Sequence, residues 1–240
     1  MTALLEVAGL GKRFGGFVAL SAIDLSVAKG ERVGLIGPNG SGKSTLVNCL
    51  SGTLRHDKGS VRFAGRRLDG MAPHRRTRLG LSRSFQLPRP FGGMSVADNI
   101  RIPLEYALRD RGDAEAIGAR CAALLATVGL EAKGRQFPGD LTQIEMRKLE
   151  LARAMAAEPK LLIADEAMAG LSSNEVDDIL ALLLRLNEAG VTVIMIEHIM
   201  RAVMRFSQRL VVLVAGRKIA DGLPDAVMRD PEVERAYLGE

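Results

Sequence analysis

Apolar and polar positions along this chain change their spacing more than once, and each change marks a change of element. The opening segments LLEVAGL and FVALSAIDLSVAKGE alternate apolar and polar residues, with turn signals at Gly15-Gly16 and Lys29-Gly30. That pattern predicts short strands in an antiparallel β region. HDKGSVRFAGRRL predicts a turn and a further hairpin-like strand. From Met94 to Pro159 three helical segments follow, SVADNIRIPLEYAL, DAEAIGARCAALLATVGL and LTQIEMRKLELARAMAAEP, each with a polar or capping residue near its start. Short apolar runs then return as LLIAD (Leu161 to Asp165), VTVIMIE (Val191 to Glu197) and RLVVLVAG (Arg209 to Gly216), the kind buried in a parallel sheet. An amphipathic helix near Asn174 to Glu188 separates the first two and gives βαβ order. The expectation is one α/β domain over residues 1–240, with a helical subdomain at about residues 87–158 inserted in the strand series.

Between the first strands and the helices lies GLIGPNGSGKSTLVNCLSG, Gly34 to Gly52: an apolar strand from Arg32 to Ile36, a glycine-rich turn, and a helix opening near Lys43. Strand, turn and helix together are the context a phosphate-binding P-loop requires. Gly37, Gly40 and Gly42 let successive backbone N–H groups turn inward as an anion nest, backed by the positive end of the helix. Pro38, Asn39, Ser41 and Thr45 complete the loop. Lys43 supplies a full charge for β- and γ-phosphates, and the Ser44 hydroxyl is placed to ligate Mg²⁺.

Composition narrows the setting. The chain has 240 residues, 47% of them apolar and 25% charged, enough for a substantial core. Cys49 and Cys121 lie in unrelated segments without metal-type spacing and suit small core positions in a reducing compartment. No signal-peptide pattern or membrane-length apolar run is present, so a cytoplasmic protein is expected. The net charge of +5 fits nucleic acid, an anionic membrane surface or an arginine-rich solvated surface, the last being favoured. The densest basic stretch, His74-Arg75-Arg76-Thr77-Arg78 with Arg83, lacks the interleaved aromatics of a base-stacking platform, and nucleic acid is not an expected partner.

Further residues fall where phosphoryl transfer needs them. Asp165 and Glu166 end an apolar strand, so both carboxylates emerge at the carboxyl edge of the sheet, beside the P-loop. Asp165 can hold the Mg²⁺ shell and Glu166 can orient and deprotonate a water. His198 follows the strand VIMIE, where a neutral imidazole can bond to a γ-phosphate and the attacking water. Gln86, ending GLSRSFQ, offers an amide oxygen to metal or water.

Together these motifs resemble the ATP-binding-cassette (ABC) ATPases over essentially the whole chain. The resemblance implies a P-loop NTPase fold with a RecA-like core, an N-terminal antiparallel β subdomain and an inserted helical subdomain. It implies ATP and Mg²⁺ as cofactors, a γ-phosphate-sensing role for Gln86, and an adenine-stacking aromatic at Phe14, which as a residue also reads as a core strand aromatic. RSFQ, PRPFGGMSVADNI, IEH and the tail DPEVERAYLGE resemble the ATPase subunits of branched-chain-amino-acid-type importers. That implies a second, different ATPase subunit, membrane permease subunits, a solute-binding protein, and a peripheral place on the inner face of the membrane. Two other readings remain: a soluble ABC ATPase acting on nucleic acid or the ribosome, and a nucleotide-gated regulatory subunit with little turnover.

The resemblance breaks in two places. The family's Leu-Ser-Gly-Gly-Gln signature falls on Leu141-Thr142-Gln143-Ile144-Glu145, with Gln143 and Ile144 at the glycine positions. In the family this helix N-terminus contacts the γ-phosphate of the opposite subunit through backbone N–H groups, and a β-branched Ile144 should crowd that approach. After Glu166 the family's usual proline and loop aspartate are replaced by Ala167 and Ser172-Ser173. The features that serve the chain's own site look complete and those that serve a partner's are altered, so the expectation is a heterodimer of unequal sites; the alternative is that Ile144 is tolerated because the backbone N–H remains available.

Overall fold

The computed structural model describes residues 3–85, 87–107 and 114–238. Its elements, in chain order, are β1 (Ala3–Phe14), β2 (Phe17–Ala28), β3 (Arg32–Ile36), α1 (Lys43–Ser51), β4 (Lys58–Phe63), β5 (Arg66–Arg67), α2 (Pro73–Arg78), β6 (Leu81–Arg83), α3 (Val96–Ala107), α4 (Ala114–Val128) and α5 (Gln143–Met155). They continue with β7 (Leu161–Asp165), α6 (Ser173–Glu188), β8 (Thr192–Ile196), α7 (Met200–Phe206), β9 (Arg209–Val214), β10 (Arg217–Gly222), α8 (Pro224–Met228) and α9 (Pro231–Leu238).

The strands form two sheets. One is antiparallel in the order β2-β1-β4-β5, and the other runs β10-β9-β3-β8-β7-β6. Within the second, β9, β3, β8, β7 and β6 pair in parallel and β10 returns antiparallel on the edge. Every residue of β7 and β8 is buried, as expected of central parallel strands covered on both faces. β2 spans the predicted segment up to its Lys29-Gly30 turn, whereas β1 extends past LLEVAGL to Phe14, register shifts letting it continue past irregular positions such as Gly9 and Gly11.

The period of two along the parallel strands divides the core. Leu161, Ile163, Ile194, Ile196, Val211 and Leu213 face α1 and the antiparallel sheet, while Leu162, Ala164, Val193, Met195, Leu210 and Val212 face the layer of helices α3 to α7. α6 presents Val176, Ile179, Leu180 and Leu183 to that layer, and its start is fixed by a capping box between Ser172 and Glu175. Cys49 and Cys121 are both buried within these cores. Among the described residues no helix is long and apolar enough to cross a membrane.

Candidate functional site

Three adjacent parallel strands end at one level. Leu35 of β3 pairs with Ile196 of β8, and Ile196 pairs with Asp165 of β7. The segments just beyond, beginning at Gly37, Glu166 and Glu197, therefore emerge side by side at the carboxyl edge, where open α/β sheets bind ligands.

The P-loop is braced from behind. Gly37 has φ +149°, and a Cβ there would lie 2.1 Å from the Leu213 carbonyl oxygen of β9. At Gly42, with φ +103°, the Ala19 carbonyl oxygen would stand 2.8 Å from a Cβ. Gly216, in the turn between β9 and β10, donates its N–H to the Ser41 carbonyl at 2.9 Å. Ser41 is buried, Gly37, Pro38 and Thr45 are partly buried, and Asn39, Gly40 and Ser44 face solvent. The Lys43 ammonium folds over the loop, donating to the carbonyls of Gly37 at 2.7 Å and Pro38 at 2.9 Å. Burial lowers its pKa, while the carboxylates of Glu166 and Asp165 oppose that change. The cation and both acids thus share one electrostatic site.

Asp165 is not left to solvent. Its Oδ2 accepts from Arg83 of β6 at 2.6 Å, and the same guanidinium donates to Asn48 Oδ1 of α1 at 2.6 Å. Glu166 sits at φ +48°, a left-handed conformation that a residue with a Cβ adopts at a cost of about 1–2 kcal/mol. Its N–H donates to the Ile196 carbonyl at 2.9 Å, and its carbonyl accepts from Ala169 at 3.2 Å. His198 is exposed just past β8. Gln86 lies outside the described residues. Phe14 is 50% exposed and stands opposite Phe17, so it is not a core aromatic; the Lys12 ammonium is 5.4 Å from its ring centroid.

The signature segment opens α5 through a capping box: Thr142 Oγ1 accepts from the Glu145 N–H at 3.4 Å, and Glu145 accepts from the Thr142 N–H at 2.9 Å. Ile144 is partly buried against the helical core, while Gln143 is exposed.

Sequence reasoning missed several participants. Arg83 and Arg76 belong to a stretch whose composition reads as solvated surface, yet both are withdrawn from it. Arg76 is buried and donates to the carbonyls of Met71, Cys49, Leu50 and Leu68. Glu197 is 3% exposed, and burial pushes its carboxyl up to about 7. Tyr237 of α9 is 40% exposed, and partial burial raises its pKa while the Gly37 N–H of the P-loop opposes that change. For Glu197 the available signal was a carboxylate closing an apolar strand.

Residues 20–169 match the ABC transporter family, and residues 217–240 match the family described as branched-chain amino acid ATP-binding cassette transporter. The chain is 37% identical to the high-affinity branched-chain amino acid transport ATP-binding protein BraF of Pseudomonas aeruginosa, over 99% of this chain and 98% of BraF. It is 35% identical to the corresponding LivG protein of Escherichia coli, with the same coverage. Among solved structures it is similar to the ADP conformation of MJ1267, an ATP-binding cassette of an ABC transporter, with a TM-score of 0.89, 31% identity and 100% of both chains covered. With a braced P-loop, two acids and a histidine at one sheet edge, and relatives matched end to end, the chain belongs to the ABC transporter family as one of its ATP-binding, ATP-hydrolysing cassettes.

Proposed function

We propose that this cassette drives an importer for branched-chain or related amino acids, lying against the inner face of the membrane beneath permease subunits that a solute-binding protein supplies. The observation that carries the hydrolytic half of this reading is the level alignment of Leu35, Ile196 and Asp165, which brings P-loop, Glu166 and His198 to one edge. The relatives' names support the solute class.

In this reading Phe14 stacks on adenine, and the backbone of Gly37 to Thr45 with Lys43 holds the phosphates. Glu166 takes the proton of the attacking water, and His198 bonds to the γ-phosphate and holds that water in line. Gln86 senses the same phosphate. The hard oxygen donors Ser44 and Asp165, with Gln86, suit Mg²⁺, which when bound neutralises charge developing on the phosphate oxygens.

The permease has a place to dock. A cavity of about 340 Å³ opens between the sheet and the helices, walled by Phe85, Phe91, Pro103 and Tyr106 with Arg78 and Arg153. Neighbouring Leu87 and Met94 are exposed. An exposed apolar groove of this kind fits a short coupling helix of a membrane subunit.

The altered signature supports pairing with a different ATPase subunit, this chain's site turning over faster than the one it completes with Ile144. The test is ATPase activity of the chain alone and then with its partner ATPase and permeases. Activity that is weak alone, rises on assembly and vanishes with Glu166→Gln is expected; no Glu166-dependent turnover in any assembly overturns the reading. Equal losses from Glu166→Gln here and from the matching change in the partner overturn the asymmetry.

A further inference from the structure

The loop that leaves β7, from Glu166 to Leu171, is held from two sides by side chains. From α5, Arg147 donates to the Ala169 carbonyl at 3.0 Å and the Gln143 amide approaches the same oxygen at 3.5 Å. From the end of β8, Glu197 Oε1 accepts the Met168 N–H at 2.8 Å. Its other oxygen, Oε2, is buried and makes no well-formed hydrogen bond among the described residues, although the His198 N–H faces the carboxyl. Burying a carboxyl with one oxygen poorly satisfied is expensive, and such groups persist where the site uses them.

Successive residues at the end of β8 each serve this loop or the site. The Ile196 carbonyl holds the Glu166 N–H at 2.9 Å, the Glu197 side chain holds Met168, and His198 stands next in the chain. We propose that Glu197 is a positioning residue for ATP hydrolysis, its carboxylate locking the segment Glu166 to Met168 onto the end of β8 so that Glu166 and His198 keep one mutual geometry. The inference rests on the hydrolytic roles given above to Glu166 and His198.

The charged surroundings support a lock whose strength varies near neutral pH. Burial pushes the Glu197 carboxyl up to about 7, the Glu166 charge adds to this, and the N–H groups of Met168 and His198 with the Arg147 guanidinium oppose it. Behind Arg147 on α5 stands Glu150. From α7, Arg201 and Arg205 turn away to pair with Asp177 of α6. Across the edge, Lys43 answers Glu166 and Asp165. A carboxylate accepts N–H bonds more strongly than its acid, so the lock tightens as pH rises.

The test compares kcat of the assembled transporter against pH for wild type and Glu197→Gln, with Glu166→Gln alongside. A wild-type kcat that climbs through about pH 7 is expected. Glu197→Gln should lose that climb and run about tenfold slower near pH 8, with KM for ATP within about twofold, because the P-loop is untouched. Turnover that survives Glu166→Gln overturns the hydrolytic assignment and the inference with it. Glu166-dependent turnover with an unchanged pH profile in Glu197→Gln overturns the inference alone. Should that variant not fold, the Met168 amide proton of the wild-type full chain decides by NMR: a titration with its midpoint near pH 7 supports the lock, and a flat response between about pH 5.5 and 8.5 overturns it.

Discussion

Arg83 and Asp165 are joined at 2.6 Å inside the protein, with side-chain exposures of only 13% and 7%. The pair links two neighbouring parallel strands, and through Asn48 it reaches the helix behind the P-loop. Removing one member of a buried pair strands the other, at about 3–5 kcal/mol. Arg83→Met should therefore lower unfolding stability by about that amount in urea titration. Adding Asp165→Leu to Arg83→Met should recover part of the loss; a further loss would show that the pair is not its cause.

The P-loop glycines should differ in what they tolerate. A methyl at Gly37 meets the Leu213 carbonyl at 2.1 Å and one at Gly42 meets the Ala19 carbonyl at 2.8 Å, backbone atoms that cannot step aside. Gly40 also has positive φ, +77°, but open space around it. Gly37→Ala and Gly42→Ala should each weaken ATP binding more than about tenfold by calorimetry, a loss above about 1.4 kcal/mol. Gly40→Ala should cost only the conformational strain, about 1–2 kcal/mol spread over folding and binding. A ranking in which Gly40 is the least tolerant would show that the loop's contacts, not its backing, dominate.

Arg76 and Arg75 are sequence neighbours with opposite expectations. Arg76 closes the C-terminal carbonyls of α1 at Cys49 and Leu50 and two further carbonyls, whereas Arg75 is exposed. Arg76→Met should cost about 3 kcal/mol of stability and Arg75→Met under about 0.5. Chemical denaturation of both variants reads this directly.

That contrast explains what the sequence could and could not reveal. β3, β7 and β8 were legible because strands buried on both faces must be apolar throughout, and the P-loop because its chemistry needs glycines and a lysine at fixed spacing. The partners of a guanidinium are not written beside it. Arg76 finds carbonyls 26 and 27 residues earlier, and Arg83 finds an aspartate 82 residues later. Both therefore looked like members of a charged surface. β10, with exposed or half-buried residues throughout, was invisible for the converse reason: an edge strand is held by its β9 neighbour rather than by an apolar face. Glu197 looked like the end of a strand, and its meaning lies in Met168, 29 residues before it.

Glu197 also makes the fold's stability depend on pH in a direction opposite to an ordinary paired carboxylate. Its carboxyl lies at about 7 in the folded chain against 4.5 for an ordinary glutamate, so between those values the folded state holds a proton that the unfolded chain has released. Stability from this group is therefore full below pH 4.5 and declines as pH rises through about 7, by about 3 kcal/mol in all. Glutamine does not titrate, so in urea unfolding the Glu197→Gln chain should gain on wild type by about that amount between pH 4.5 and 8. This pH dependence follows from burial of the carboxyl whatever its role, so kcat is the readout that separates a functional carboxylate from a structural one. A variant that gains relative stability at high pH while its kcat falls would show the carboxylate being retained at the expense of the fold, as expected of a group whose value lies in holding Glu166 against the end of β8.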